Sequence, residues 1–260
     1  MAEKLPLISI IMPLYNAELW VGGAVASIQA QTVQDWELIV ADDGSRDSSL
    51  GIVSELATSD GRIKVFSHVT NKGAAAARNT CLSHVRGAFV AYMDADDLWY
   101  PEKLERQLAF MKSSSCSMCF TDYETITQDG RHINFVSVPK AIDYNRFLKN
   151  TVTCSHTVVF DLSRVEIDWL FCPDFKGEFD IPEDMVVWLQ VLKNKGVLAM
   201  GLNEVLAKYR KHDSSRSASV LAAVSRTWNA YRRVEGMSFL YSVWCLFWQL
   251  KHALAKRVRN

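Results

Sequence analysis

The 260-residue sequence has no net charge to speak of: 29 Lys plus Arg stand against 29 Asp plus Glu. No excess of positive charge is available to grip a polyanion, so composition gives no sign of a nucleic-acid partner. Cysteine is sparse, with six residues scattered outside the dense spacing of a disulfide-stapled secreted domain. Cys116 and Cys119 form a lone C-x-x-C without a second pair. That pattern reads as reduced thiols in or near the core rather than a metal or redox site. The opening MAEKLP lacks the long apolar stretch of a signal peptide, and the expectation is a chain that stays in a reducing cytoplasm. Internal repeats and low-complexity linkers are missing too, as is any uninterrupted run of about 20 apolar residues that would cross a bilayer. What is plentiful is apolar sequence in short runs, 49% of the chain, enough for the core of one large α/β domain or one domain with a small appendage.

Apolar runs of strand length recur at 7–12 (LISIIM), 36–41 (WELIVA), 63–68 and 88–93, and between them 20–31, 48–57 and 73–85 read as helices. In the first of these, Trp20, Ala24, Val25 and Ile28 share one face. Pro101 stands where the start of a helix tolerates proline. Such alternation predicts a parallel sheet with helices on both faces. Ligands of such sheets bind beyond the carboxyl ends of the strands. Polar clusters follow the strand runs here: Tyr15 with Asn16, Asp42 with Asp43, and the acids of 94–97. The second half is less regular. Strands are expected at 116–123 and 157–160, a hairpin turn at 128–131, and a short helix at 144–149. A helix at 183–195 has Met185, Val186, Trp188, Leu189 and Leu192 on its apolar side. The stretch 208–219 reads as a polar loop, and one long amphipathic helical region is expected from 221 onward.

Asp94, Asp96 and Asp97 end an apolar strand. Three carboxylates this close repel one another unless a cation sits among them. Hard divalent ions such as Mg²⁺ or Mn²⁺ take one or two carboxylates plus substrate phosphates. The competing reading is a solvated turn in which Asp97 caps the helix near Pro101. The second acidic turn, Asp42-Asp43 before Gly44, suits a base or ribose edge, or a plain turn.

Four runs then stand together: 8–16 (ISIIMPLYN), 36–45 (WELIVADDGS), 71–79 (NKGAAAARN) and 93–99 (MDADDLW). In that order and spacing they resemble glycosyltransferase family 2, a far more specific match than any one of them alone. The resemblance is strong to about residue 112 and looser to about 219. It is closest to the polysaccharide-assembly branch, with its teichuronic-acid and O-antigen enzymes. There a PEKL helix and a GLNEVL..YR run recur, here at 101–104 and 201–210.

The resemblance implies a GT-A fold: α/β, a Rossmann-like, mostly parallel sheet flanked by helices, with a C-terminal helical tail. It divides the chain into a catalytic domain at 1–220, with a nucleotide-sugar half (1–112) and an acceptor half (113–220), followed by the region 221–260. It implies a metal-dependent inverting glycosyltransferase that uses Mn²⁺ or Mg²⁺. The donor would be a UDP-sugar, and the acceptor a saccharide linked to undecaprenyl diphosphate. Pro13, Tyr15 and Glu18 would flank the nucleobase and Asp43 would bond its edge, with Asp42 a weaker candidate beside it. Lys72 and Asn79 continue the nucleotide pocket. Asp94 contacts the ribose or metal region, and Asp96 is the main metal ligand. Asp184 matches the catalytic base, which inversion requires on the face opposite the leaving nucleotide. Glu183 stays open as the base instead. The segment 209–217 matches a mobile stretch that folds over the diphosphate. There His212 would bind metal or phosphate, Arg210 phosphate, and Ser215 and Ser217 would donate hydrogen bonds. Two other classes compete with this one. A nucleotidyltransferase should carry a Gly-rich, basic phosphate loop after its first strand, where PLYNA stands instead. A non-catalytic nucleotide-sugar binder would not need Asp94, Asp96 and Asp184 together.

The tail is informative by itself. The run 237–250 (MSFLYSVWCLFWQL) is apolar and aromatic, and Lys251, Lys256, Arg257 and Arg259 follow. It suits an interfacial helix on an anionic membrane surface, at the inner face of the cell membrane. The other reading packs it against the catalytic domain.

Overall fold

The computed structural model describes residues 5–151, 153–174, 178–212 and 219–258. Ser215 and Ser217 lie outside them.

Four strands, β1 (Ile8–Leu14), β2 (Trp36–Asp42), β3 (Ile63–Ser67) and β4 (Phe89–Tyr92), pair in parallel in the order β3-β2-β1-β4. Helices α1 (Val21–Gln29), α2 (Ser49–Ser59) and α3 (Ala74–Leu82) connect them. Ile8, Ile10, Ile11 and Met12 of β1 are fully buried, because both faces of the sheet are covered. Each such side chain contributes about 1.5–3 kcal/mol of burial. The polar exception, Ser9, donates to Glu37 Oε1 on β2 at 2.6 Å, and Arg86 closes the network onto Glu37 Oε2. β2 and β3 lie on one side of β1 and β4 on the other. The crevice at this reversal, beyond the strand ends, is where the acidic clusters fall.

Beyond β4 the sheet is mixed. The elements are β5 (Leu98–Trp99), α4 (Lys103–Ser114), β6 (Met118–Ile126), β7 (His132–Val136), β8 (Ala141–Ile142), α5 (Tyr144–Phe147), β9 (Val159–Asp161), α6 (Glu183–Leu192) and β10 (Ala199–Arg210). β9 is antiparallel to β4 and β6, while β6 and β10 run parallel, giving the order β3-β2-β1-β4-β9-β6-β10-β5. α1, α2 and α4 cover one face, and α3 and α6 the other, where Tyr92, Phe120, Phe160 and Trp188 form the aromatic centre. Cys116 and Cys119 are buried free thiols.

Three expectations are corrected. The stretch 208–210 is not loop: β10 carries it as strand to Arg210. Pro101 and Glu102 form a turn, and α4 starts at Lys103 with Asp97 too deeply buried in other contacts to cap it. The tail is not one helix. α7 (Val220–Asn229) passes into a π-turn at Ala230–Val234, the chain turns at Gly236 (φ 62°), and α8 (Phe239–Val258) follows. Tyr231, Met237 and Cys245 anchor this unit in the core beside α6.

Candidate active site

The ends of β1 and β2 are tied together by short polar side chains. Gly44 takes φ 71°, and a Cβ there would lie 3.0 Å from the backbone at Thr70 and Asn71. Asn16 Oδ1 accepts the Arg46 amide at 2.9 Å, and Glu18 Oε2 accepts the Ser48 amide at 2.8 Å. Pro13 is the penultimate residue of β1, and Tyr15 stands exposed just beyond the strand. Asp43 is fully engaged: the amides of Lys72 and Gly73 donate to its two oxygens at 2.9 and 2.7 Å, and His68 Nδ1 lies 2.7 Å from Oδ1. It therefore pins the loop that leads into α3. Asp42 differs. Its Oδ2 accepts the Ser45 amide at 3.2 Å, while its buried Oδ1 has no hydrogen-bond partner. An unmet acceptor in this position is costly unless a donor arrives.

The acids after β4 split into an inner and an outer group. Asp97 and His156, both wholly buried, approach to 2.6 Å between Oδ2 and Nδ1, a contact bent away from good hydrogen-bond alignment. Burial raises the Asp97 carboxyl to about 7 against the pull of His156. Burial would lower His156, but the Asp97 charge overcomes it and lifts the imidazole well above its ordinary value. Asp97 Oδ1 accepts the Arg210 amide at 2.8 Å. Arg210 itself turns inward, giving Nε to the Asp96 carbonyl at 2.9 Å and Nη1 to the Gln128 carbonyl at 2.8 Å. Its structural role is to lock the acidic turn to the β6–β7 hairpin. In the outer group, His212 Nε2 lies 2.7 Å from Asp96 Oδ2, across 116 residues of sequence, and its ring stacks on Trp20 at 4.3 Å.

The donor chemistry decides which group fits a cation. Atoms of Asp94, Asp97 and His156 lie within 4.8 Å of one another. Both Asp94 oxygens, however, are taken by Arg78 and Ser155, and the Asp97–His156 pair is self-neutralising. Asp96 and His212 offer a carboxylate oxygen and an imidazole nitrogen side by side at the mouth, a set that fits Mn²⁺ or Mg²⁺ completed by diphosphate oxygens.

Arg78 on α3 joins this region to α6. Its Nη2 meets Asp94 Oδ1 at 2.7 Å and its Nη1 meets Glu183 Oε1 at 3.0 Å. Burial opposes ionisation of Asp94, yet Arg78 and the Ser155 hydroxyl outweigh it and hold the carboxyl below its ordinary value. Asp184, next to Glu183 in the first turn of α6, goes the other way. Burial and then the Glu183 charge raise it, Arg78 and the Met185 amide pull back, and it settles at about 6. Asp184 lines a small enclosed cavity with Arg78, Tyr92 and Cys172. Beside it opens a cleft of about 380 Å³ lined by Lys72, Asn79, Thr80, Asp174, Phe179 and Glu183. Asn79 spends its amide on the wall of that cleft, pairing with the Cys172 carbonyl at 2.8 Å and amide at 2.9 Å.

The structure thus gathers Asp94, Asp96, Arg210 and His212 at one strand end, reaches Asp184 through Arg78, and sets Pro13, Tyr15, Glu18, Asp43 and Lys72 at the neighbouring strand ends. Sequence reasoning missed three contributors. Arg78 had a signal, a cation closing the Ala run at 74–77. Trp20 reads in sequence only as a helix-face residue, and His156 carries no local signal.

A half-sheet with its crevice at the strand reversal, acids at two strand ends and a carboxylate facing them make a ligand-binding site of the α/β class. The model of the family "Glycosyl transferase family 2" matches residues 9–164, and the chain belongs to that family. It is 37% identical over 254 residues to TuaG of Bacillus subtilis (strain 168), a putative teichuronic acid biosynthesis glycosyltransferase, covering 97% of this chain and 98% of that one. It is also 37% identical over 223 residues to WfgD of Escherichia coli, a UDP-Glc:alpha-D-GlcNAc-diphosphoundecaprenol beta-1,3-glucosyltransferase, covering 86% and 84%. Among solved structures, Staphylococcus aureus TarS 1-349 in complex with UDP-GlcNAc superposes with a TM-score of 0.72 at 20% identity, over 92% of this chain and 70% of that one. At that identity the likeness speaks for the fold.

Proposed function

We propose that this glycosyltransferase transfers a hexosyl unit from a UDP-sugar, with inversion, to a saccharide carried on undecaprenyl diphosphate, in the assembly of a bacterial surface polysaccharide. The observation that carries the reading is Arg78. It ties donor-side Asp94 and the base-bearing turn at Glu183 into one ion cluster, so both halves of the reaction face one crevice. The activity of WfgD suggests the donor and acceptor classes, and that of TuaG the surface-polysaccharide setting.

In this reading Tyr15 and Pro13 flank the base, and Glu18 holds the loop beside it. The base edge falls to Asp42, whose Oδ1 awaits a donor, while Asp43 presents Lys72 by gripping its backbone. Asp94, oriented by Arg78 and Ser155, borders the ribose and offers it the remaining lone pairs of its carboxylate. Asp96 and His212 would hold Mn²⁺ or Mg²⁺, which supplies charge neutralisation for the departing diphosphate. Asp184 is free of the ion pair that occupies Glu183, and a carboxylate near 6 is ionised yet basic enough to take a proton from a hydroxyl. It removes the acceptor proton while that oxygen bonds to the anomeric carbon and the bond to the UDP oxygen breaks. A lipid-linked acceptor places the reaction at the inner face of the cell membrane.

The test is transfer from a panel of nucleotide sugars to a synthetic diphospholipid-linked sugar, with and without EDTA. The reading expects one UDP-hexose to be used, with turnover abolished by EDTA and restored by Mn²⁺ or Mg²⁺. Full activity in EDTA, or use of no UDP-sugar, would contradict it.

A further inference from the structure

The C-terminal unit presents a surface that the transfer site does not use. One side of α8 is fixed inward: Ser242 and Cys245 are wholly buried, and Gln249 Nε2 donates to Tyr231 Oη at 2.7 Å and to the Leu148 carbonyl at 3.2 Å. These contacts set the rotation of the helix about its axis. The opposite side must then face solvent, and it carries Phe239, Leu240, Val243, Trp244, Phe247 and Leu250, each between 39% and 80% exposed. Their three- and four-residue spacing draws one stripe along a helix roughly 30 Å long. An apolar stripe of this size on an otherwise ordinary surface marks an interaction site.

Charge identifies the occupant. From 236 to 260 the sequence holds no Asp or Glu, while Lys251, Lys256, Arg257 and Arg259 follow the aromatic run in sequence. Lys251 Nζ lies 4.4 Å from the Trp248 ring centroid, at the margin of the stripe. A second copy of the stripe would bring apolar area but no acid to meet these cations. An anionic bilayer offers both, hydrocarbon for the aromatic face and headgroups for the basic end. No helix among the described residues is long and apolar enough to cross a membrane. The unit is also joined to the cleft. Asn229 Nδ2 donates to the Asp180 carbonyl at 2.9 Å, and Arg233 lies 5.0 Å over the ring of Phe179, a residue of the cleft wall.

We infer that the outward face of α8 docks in the plane of an anionic bilayer surface, and that the π-turn and α7 hold the acceptor side of the cleft in fixed relation to it. Docking stands on α8 alone; its value to catalysis rests on the lipid-linked acceptor proposed above.

The experiment is co-sedimentation of the full chain with phosphatidylglycerol–phosphatidylcholine vesicles, beside vesicles of phosphatidylcholine alone. The probe variant is Leu240→Glu with Phe247→Glu, both outward and exposed, checked by thermal melting and UDP-sugar hydrolysis, which should match the parent. The expected result is binding that favours the anionic vesicles, weakens in high salt, and falls about tenfold or more in the variant. Equal binding of parent and variant would overturn the proposal. So would a parent that ignores both vesicles but forms a dimer which the variant dissociates. Vesicle binding as expected, with lipid-linked and short-chain acceptors used equally well, would support docking while removing the lipid-linked acceptor from the proposed function.

Discussion

Replacing Asp184 with Asn should cost activity and gain stability, and the gain should depend on pH. The folded protein raises this carboxyl from its ordinary 3.8 to about 6. Each step of one in pKa corresponds to about 1.4 kcal/mol, so holding the ionised group in its buried place costs about 3 kcal/mol above pH 6. Below about pH 4 both folded and unfolded chains are protonated there, and the cost vanishes. The burial penalty is therefore fully felt at neutral pH and is relieved as pH falls through the folded value. Asn has the same shape, still accepts the Met185 amide that now bonds Oδ1 at 2.7 Å, and carries no charge. Asp184→Asn should then be more stable than the parent by about 1–3 kcal/mol at pH 8, or several degrees in Tm, with the advantage shrinking toward zero near pH 4. Calorimetric melts of both proteins across that range make the measurement. A variant that is less stable than the parent at pH 8, or an advantage that does not change with pH, would refute the reasoning.

Other consequences follow from neighbouring contacts. The parent's kcat/KM should rise through about pH 6 and level off, and Glu183→Gln should move that inflection downward, because the Glu183 charge helps to raise Asp184. A pH–rate profile that loses all activity in Glu183→Gln would instead assign the base to Glu183. Asp96→Asn should lower turnover by about 10²–10³-fold, the scale of removing one stabiliser of developing charge, and titration with Mn²⁺ should show weakened metal binding. Arg78→Met should destabilise the fold by about 3–5 kcal/mol in denaturant titrations, since Asp94 and Glu183 both lose a buried partner. Arg78→Lys should rescue it poorly, because one ammonium does not span both carboxylates.

The parallel half of the fold was legible because strands buried on both faces read as largely apolar runs, as β1 and β2 do with one internal polar residue each, Ser9 and Glu37. β10 was not. Polar residues interrupt it at Asn203, Glu204 and Lys208, and register shifts near Leu202, Val205 and Ala207 break the alternation that marks a half-buried strand. The break between α7 and α8 depends on a π-turn, which leaves no periodic trace in sequence. The acids of the site were visible because they sit at strand ends, where such sheets bind ligands. Their partners were not, since Arg78 meets Glu183 across 105 residues and His212 meets Asp96 across 116. The roles within the Asp42–Asp43 pair likewise depended on tertiary contact. Only the approach of the Lys72–Gly73 backbone shows that Asp43 is occupied and Asp42 is left with an open acceptor.

Single displacement, with Asp184 as the base across the crevice from the nucleotide, is central to the proposed reaction. The most direct measurement is the anomeric configuration of the first-formed product by proton NMR, using an α-linked UDP-sugar as donor. Inversion predicts a β-linked product from the parent enzyme and almost no product from Asp184→Asn. An α-linked product would contradict it.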